Sequence, residues 1–294
     1  MSEPFGPELT SIRSPKVKAA RQLAKRALRL RARSFLAEGP QAVREALGRR
    51  GVVSQLFITA AARTRHAELA DEAARQGAGV QAVSGELMSE LAQTITPQGV
   101  LAVCRYVDVP LAQLAAGAPR LVVILASVRD PGNAGTVLRT ADAAGADGVI
   151  FSDASVDAYN SKCVRATAGS LFHLPLVVDV PVAEAVGAMR EAGLRILAAD
   201  GRAGRSLDEA GPDGRGGLPG GPTGWLFGNE AWGLPAGVLA LADDVVAVPI
   251  YGKAESLNLA AAAAVCLYAS AHASRASGTG PASPAPAGRV PREQ

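Results

Sequence analysis

Apolar positions follow two rhythms along the chain. Val17, Ala20, Leu23, Ala27 and Leu30 recur every three or four residues, so the basic stretch from Ser14 to about Ala46 is predicted to be helical. Beyond it the pattern shortens. VVSQLFI (52–58) is predicted as a strand, ARTRHAELADEAARQ (62–76) as a helix and GVQAV (79–83) as a strand. A helix follows over 84–93, with Ser84 as N-cap and Leu87 and Leu91 inside, and GVLAVCRYV (99–107) closes the unit as a strand. These elements predict a small α/β unit ending near Val107. Residues 108–119 hold two prolines and a glycine and are predicted to be a linker.

Six short apolar runs come next: LVVILA (121–126), GVIFS (148–152), LPLVVD (174–179), LRILAAD (194–200), GWLFG (224–228) and DVVAVP (244–249). Helical stretches over 134–144, 181–192 and 235–242 separate several of them. Continuous apolar strands alternating with helices predict a parallel sheet covered on both faces. GPDGRGGLPGGPTG (211–224) is predicted as a flexible loop, and 276–294, rich in Gly, Ser, Pro and Ala, as a disordered tail. No internal repeat is visible.

Charge changes the picture at one end. The formal net charge is +3, yet residues 1–50 carry twelve Lys/Arg against four acids, a local +8 that leaves −5 on the rest. Arg13, Lys16, Lys18, Arg21, Arg29 and Arg33 belong to this block. It is either a polyanion-binding arm or a solvated basic helix face. Cys104, Cys163 and Cys266 are odd in number and scattered, as are His66, His173 and His272, so no metal site is expected. His173 is expected to be a packed or loop histidine. No run approaches signal-peptide or membrane-spanning character, which with the cysteine pattern predicts a cytoplasmic protein without membrane contact.

Three glycine-punctuated turns carry the candidate chemistry, each after an apolar run. In the first, SVRDPGNAGTVLR (127–139), a helix starts beside Asn133 and leaves backbone N–H groups suited to an anion, with Arg139 six residues on. Asn133 as a helix cap and Arg139 as a surface cation are the plainer alternatives. In the second, GWLFGNEAWGLP (224–235), Gly228 and Gly233 flank the carboxylate of Glu230 and permit close backbone approach to a ligand. In the third, VPIYGKAESLNLAAAAAVCLYA (248–269), Ser256 and Asn258 stand near the start of an alanine-rich helix, where N-capping alone explains at least one of them. No G-x-G-x-x-G or G-x-x-x-x-G-K-[ST] fingerprint is present. Turns at the carboxyl ends of parallel strands still place a polar ligand site there.

Together the three turns resemble the signature motifs of the SpoU/TrmH branch of the SPOUT methyltransferases, with KCVRATAGSLFHLPL (162–176) similar to the segment between the first two. The likeness covers roughly 120–272. It implies a methyltransferase domain over 120–275 with a C-terminal trefoil knot, S-adenosyl-L-methionine as cofactor, a homodimer, and methyl transfer to a ribose 2′-hydroxyl of RNA. Cofactor contacts would fall at Ala199, Gly228, Val248, Ile250, Leu257 and Asn258. Asn133, Arg139, Glu230, Ser256 and Asn258 would form the catalytic group, with Arg165 steering an RNA phosphate or the cofactor carboxylate. The first 107 residues resemble the substrate-binding domain of ribosomal-RNA members. That favours 23S rRNA over tRNA and assigns RNA contacts to the basic side chains; housekeeping and antibiotic-resistance roles both stay open. Arg139 as a general base would require lowering its pKa from about 12.5 to about 7, roughly 7 kcal/mol. A phosphate clamp is therefore expected instead. The competing readings are a tRNA methyltransferase, a non-catalytic RNA-binding or assembly protein with the same fold, and a dinucleotide-dependent oxidoreductase. The last lacks the glycine fingerprint.

Overall fold

A computed structural model describes residues 6–92, 94–209 and 220–276. The predicted loop over 211–224 and the predicted tail over 276–294 lie largely outside these residues. The first sheet has five strands: β1 Gly6–Leu9, β2 Ser34–Glu38, β3 Val53–Ile58, β4 Gly79–Val83 and β5 Val100–Arg105, in the order β1-β4-β3-β5-β2. Strands β1, β3 and β4 pair in parallel, whereas β5 runs antiparallel between β3 and β2. Six helices surround it: α1 Pro15–Gln22, α2 Arg26–Ala32, α3 Pro40–Gly48, α4 Ala60–Arg65, α5 Ala67–Arg75 and α6 Gly85–Leu91. Ser84 caps α6 as expected, its hydroxyl accepting the N–H of Leu87 at 3.2 Å.

The stretch expected to be one helix from Ser14 to Ala46 is instead α1, α2, strand β2 and α3. Arg33 ends α2 in the left-handed region (φ 47°), and Gly39 at φ 95° followed by Pro40 starts α3. Between them Phe35, Leu36 and Ala37 are all buried, which a sheet position with both faces covered rewards more than a helix surface does. His66, at φ −137°, likewise divides the expected 62–76 helix into α4 and α5. The expected linker holds helix α7 Leu111–Ala116, whose Leu114 is buried.

The second sheet is parallel throughout: β6 Leu121–Leu125, β7 Gly148–Ser152, β8 Leu176–Val180, β9 Arg195–Ala199, β10 Thr223–Phe227 and β11 Asp244–Val246, ordered β11-β9-β10-β6-β7-β8. Every residue of β6, β7 and β10 is buried, as continuous apolar runs demand, and the edge strands β8 and β11 are only partly so. Alternate side chains feed two apolar layers. Val123, Leu125, Trp225 and Phe227 pack on helices α8 Pro131–Ala144 and α12 Leu259–Ala276. Val122, Ile124, Ile196 and Leu226 face α10 Val182–Glu191, and α11 Ala236–Leu239 lies on that same side. Short helix α9 Ser161–Ala166 joins the first layer, so close to α8 that a Cβ on Gly135 would lie 2.4 Å from the carbonyl oxygen of Cys163.

The two sheets share one apolar core. Phe35 of β2 lies 4.7 Å from the ring of Tyr159 and 6.0 Å from that of Phe172. Tyr159 accepts the N–H groups of Val107 and Asp108 at 2.9 and 2.8 Å and donates to Asp108 at 2.7 Å. No helix among the described residues is long and apolar enough to cross a membrane.

Candidate functional site

All six parallel strands end at one edge, and three segments converge there. After β6 the chain turns through Ser127 and enters α8 at Asp130, whose carboxylate accepts the N–H of Asn133 at 2.8 Å. Hydrogen bonds from Lys162 (2.9 Å) and from Asn133 hold the Asp130 carboxyl below the usual range. After β10, Glu230 accepts the backbone N–H groups of Arg129 and Asp130 at 3.2 and 3.1 Å. The N–H groups expected to await a ligand at this helix start are thus taken by the protein's own carboxylates.

Asn133 is consequently fixed as a relay. Its Nδ2 donates to Glu230 Oε1 at 3.2 Å, and its Oδ1 accepts from Asn258 Nδ2 at 3.0 Å. Asn258 is oriented in turn by the Ala260 N–H, which donates to its Oδ1 at 2.9 Å. One residue from each turn therefore meets in a single chain of hydrogen bonds. A fourth residue, missed in the sequence, ties the turns together: buried Asn229 donates to the Ser127 carbonyl at 2.9 Å and accepts from the Ala231 N–H.

Beside this chain opens a cleft of about 660 Å³, lined by Ala199, Gly228, Val248, Ile250, Leu257 and Asn258 together with Glu230 and Ser256. All six expected cofactor positions thus share one cavity. Its lining includes Asp200 and Arg202, which sequence reading also passed over. Asp200 is buried against Arg202 at 2.7 Å, and that hydrogen bond holds its carboxyl below the ordinary range. Gly228 is also required by the turn itself. A Cβ there would lie 2.5 Å from the carbonyl carbon of Gly233, where Asn229 and Gly233 exchange backbone hydrogen bonds.

Arg139 stays apart from the group. Six helical residues carry it about 9 Å along α8 and about 120° around it from Asn133. It is exposed, and does not line the cleft. Arg165 is likewise turned away, paired with Glu38 of β2 at 3.4 Å.

Among the basic candidates, Arg29 is a correction. It is 5% exposed, bonded to Asp157 at 2.6 Å and donating to the carbonyls of Leu23 and Ala24, which leaves no face for a phosphate. Arg13, Lys16, Lys18, Arg21 and Arg33 are exposed. Of these, Arg21 pairs with Glu90 at 3.2 Å and Arg33 with Asp108 at 2.7 Å. His173 bridges Asp142 at 2.7 Å and Glu45 at 3.1 Å and does not line the cleft. Among the described residues no cluster able to hold a metal ion occurs. The three cysteines are buried, and burial pushes their thiols up, Cys266 to about 12.

The SpoU rRNA Methylase family matches residues 120–268, and an MRM3-like substrate binding domain matches 14–102. A Bacillus subtilis protein, 23S rRNA (guanosine(2553)-2′-O)-methyltransferase RlmP, is 33% identical over 89% of this chain and 98% of its own. The 23S rRNA (guanosine-2′-O-)-methyltransferase RlmB of Bordetella pertussis is 30% identical over 74% of this chain and 88% of its own. The AdoMet-bound crystal structure of an rRNA methyltransferase from Sinorhizobium meliloti superposes with TM-score 0.77 at 32% identity, covering 90% of this chain and 97% of that one. The chain belongs to the SpoU rRNA methylase family and is an S-adenosylmethionine-dependent RNA 2′-O-methyltransferase.

Proposed function

We propose that this chain methylates one ribose 2′-hydroxyl of 23S rRNA, using the cleft beside Asn133 and Asn258 for the cofactor. The observation that carries the reading is the hydrogen-bonded chain Glu230–Asn133–Asn258, which joins all three turns at the mouth of a cavity containing every expected cofactor position. The cavity fits the group. Val248, Ile250 and Leu257 offer apolar walls, the last two 37% and 39% exposed, as an adenine ring requires, while Ser256 and Asn258 supply polar atoms at one end. S-adenosylmethionine supplies an electrophilic methyl group there. Glu230 holds Asn133 and the first turn in place, and Asn133 with Asn258 positions the ribose edge. Alignment of the hydroxyl with the methyl then provides much of the rate.

Arg139 grips the phosphate next to the target and polarises the hydroxyl, which needs only its charge. Since it lies outside its own cleft, a homodimer belongs to the proposal. Helix α12 exposes Val265 and Tyr268, 43% and 42%, beside a surface rich in small residues suited to close packing against a second copy. Also proposed are the trefoil knot in the 120–275 domain, residues 1–107 as the RNA-binding unit with Arg13, Lys16, Lys18 and Arg21 on phosphates and Arg33 also on the RNA, a metal-free site and a cytoplasmic location. Arg165 braces the two sheets through Glu38 and leaves RNA contact to these side chains.

Methyl transfer from labelled S-adenosylmethionine to total rRNA and tRNA of a strain lacking the protein tests the reading. One 2′-O-methyl site in 23S rRNA is expected. Transfer to tRNA alone would overturn the substrate, and transfer to neither would overturn the activity.

A further inference from the structure

A second hollow, of about 170 Å³, opens at the same sheet edge, beside the ends of β7 and β8. That is several times a water molecule's share of liquid volume, about 30 Å³. Its lining joins both halves of the molecule: Arg26 and Arg33 around α2, Tyr106 after β5, Ser152 at the end of β7 and Asp179 in β8. The serines of its floor are bonded to the turn that carries the candidate catalytic group. Ser127 N–H donates to Ser152 Oγ at 3.1 Å, and Val128 N–H to Ser155 Oγ at 3.2 Å. Two inter-strand steps from β6 to β8 amount to about 10 Å, so the hollow lies within a few nucleotides' reach of Asn133.

Two features point to its occupant. Tyr159, Tyr106 and the Arg33 guanidinium form a three-layer stack. The rings lie 3.7 Å apart at 20°, and Arg33 Cζ sits 4.5 Å from the Tyr106 centroid. Asp108 clamps Arg33 at 2.7 Å and also accepts from Tyr159, so the guanidinium is held although its side chain is 57% exposed. Such a held, exposed guanidinium plane is a platform for a nucleobase. The second feature is the carboxylate of Asp179 on the rim.

The rim selects a base over a phosphate. Asp179, 65% exposed and 4.0 Å from Arg26, is a carboxylate that repels an anion but accepts from amino and imino groups of a base. It also sits in the left-handed region at φ 64°, which Asp adopts more readily than most residues.

We propose that this hollow receives an unpaired nucleobase of the RNA substrate, flanking the methylated nucleotide, stacked on the outer face of Arg33 and hydrogen-bonded at its edge to Asp179. The proposal rests on the reading of the chain as an RNA methyltransferase and adds a subsite that positions the substrate. Full-length protein is titrated into short single-stranded RNAs that span the methylated nucleotide, with 2-aminopurine at successive positions. Fluorescence should be quenched at one flanking position. Arg33→Lys keeps the charge facing Asp108 but removes the planar platform, and Asp179→Gly removes the rim acceptor at a backbone angle that glycine tolerates. Both should lose that quench, weaken binding on the order of ten-fold and raise the KM for RNA, with an unshifted Tm. Wild-type protein should bind RNA that is abasic at that position about as weakly as Arg33→Lys binds the intact strand. Wild-type affinity and quench in both variants would overturn the subsite, even with methylation intact. Absence of methylation on any RNA, with a quench that Arg33→Lys abolishes, would overturn the activity and leave the subsite standing.

Discussion

Two polar networks cross this molecule, and they are built to opposite specifications. At the junction of the sheets, Arg29 and Asp157 are 6% and 11% exposed and 2.6 Å apart, and Tyr159 makes three hydrogen bonds to the Val107–Asp108 segment. At the sheet edge, Glu230, Asn133 and Asn258 are linked through contacts of 3.0 and 3.2 Å, open to solvent. The first network is dry, charged and redundantly bonded, so losing one member strands another. The second is neutral at its centre and can exchange a partner for a substrate at small cost. Rigidity between the halves and adaptability at the cleft are thus provided by different chemistry.

The junction should break hardest. Arg29→Ala leaves the Asp157 carboxylate buried without a cation and is expected to cost about 3–5 kcal/mol, read as a fall in Tm. Replacing both residues, as in Arg29→Met with Asp157→Leu, should recover most of that loss. An unchanged Tm in Arg29→Ala would mean the pair is solvated after all. At the edge the effect should fall on catalysis. Asn133→Ala is expected to lower the single-turnover rate about a hundred-fold, equivalent to about 2.7 kcal/mol, with Tm nearly unmoved. A loss confined to stability would make Asn133 a mere helix residue.

Gly228→Ala probes the boundary between the two kinds of network. Its Cβ would meet the Gly233 backbone at 2.5 Å, so the turn must shift, at about 1–3 kcal/mol. The affinity for S-adenosylmethionine should drop more than stability does, since the turn walls the cleft; equal affinity to wild type would contradict this. The smallest effect is expected at His173. Burial pulls its pKa down, but the hydrogen bonds it donates to Asp142 and Glu45 outweigh that and leave it raised. The imidazolium therefore stabilises the fold fully below its unfolded pKa of about 6.5, and that contribution fades as pH rises through the raised folded value. Solvent screening keeps it below about 1 kcal/mol. His173→Gln should flatten denaturant stability against pH across that window, and an unaltered slope would remove the residue from the pH response.

The cleft was legible in the sequence because three turns after apolar strands all had to sit at one sheet edge, whatever the intervening topology. Asn133, Glu230 and Asn258 follow from that. Asp130 and Asn229 do not: a helix-capping aspartate and a turn asparagine look the same in sequence whether or not they tie distant turns together. Periodicity misled over Ser34–Glu38, since a short continuous apolar run such as Phe35–Ala37 fits a buried strand as readily as a helix. Gly39–Pro40 was the signal that a new element begins there. Charge misled over Arg29 for a deeper reason. Local composition cannot reveal a carboxylate 128 residues away that removes an arginine from the surface. Spacing did not show that Arg139 lies outside its own cleft, because six residues along a helix do not share a face.

The most direct test is calorimetric titration of S-adenosylmethionine into the full-length protein and its Leu257→Asp variant. Saturable binding by the wild type, abolished in Leu257→Asp while Arg33→Lys binds normally, is the expected result. Wild-type affinity in Leu257→Asp would contradict the assignment of this cleft to the cofactor, and with it the role given to the turns around it.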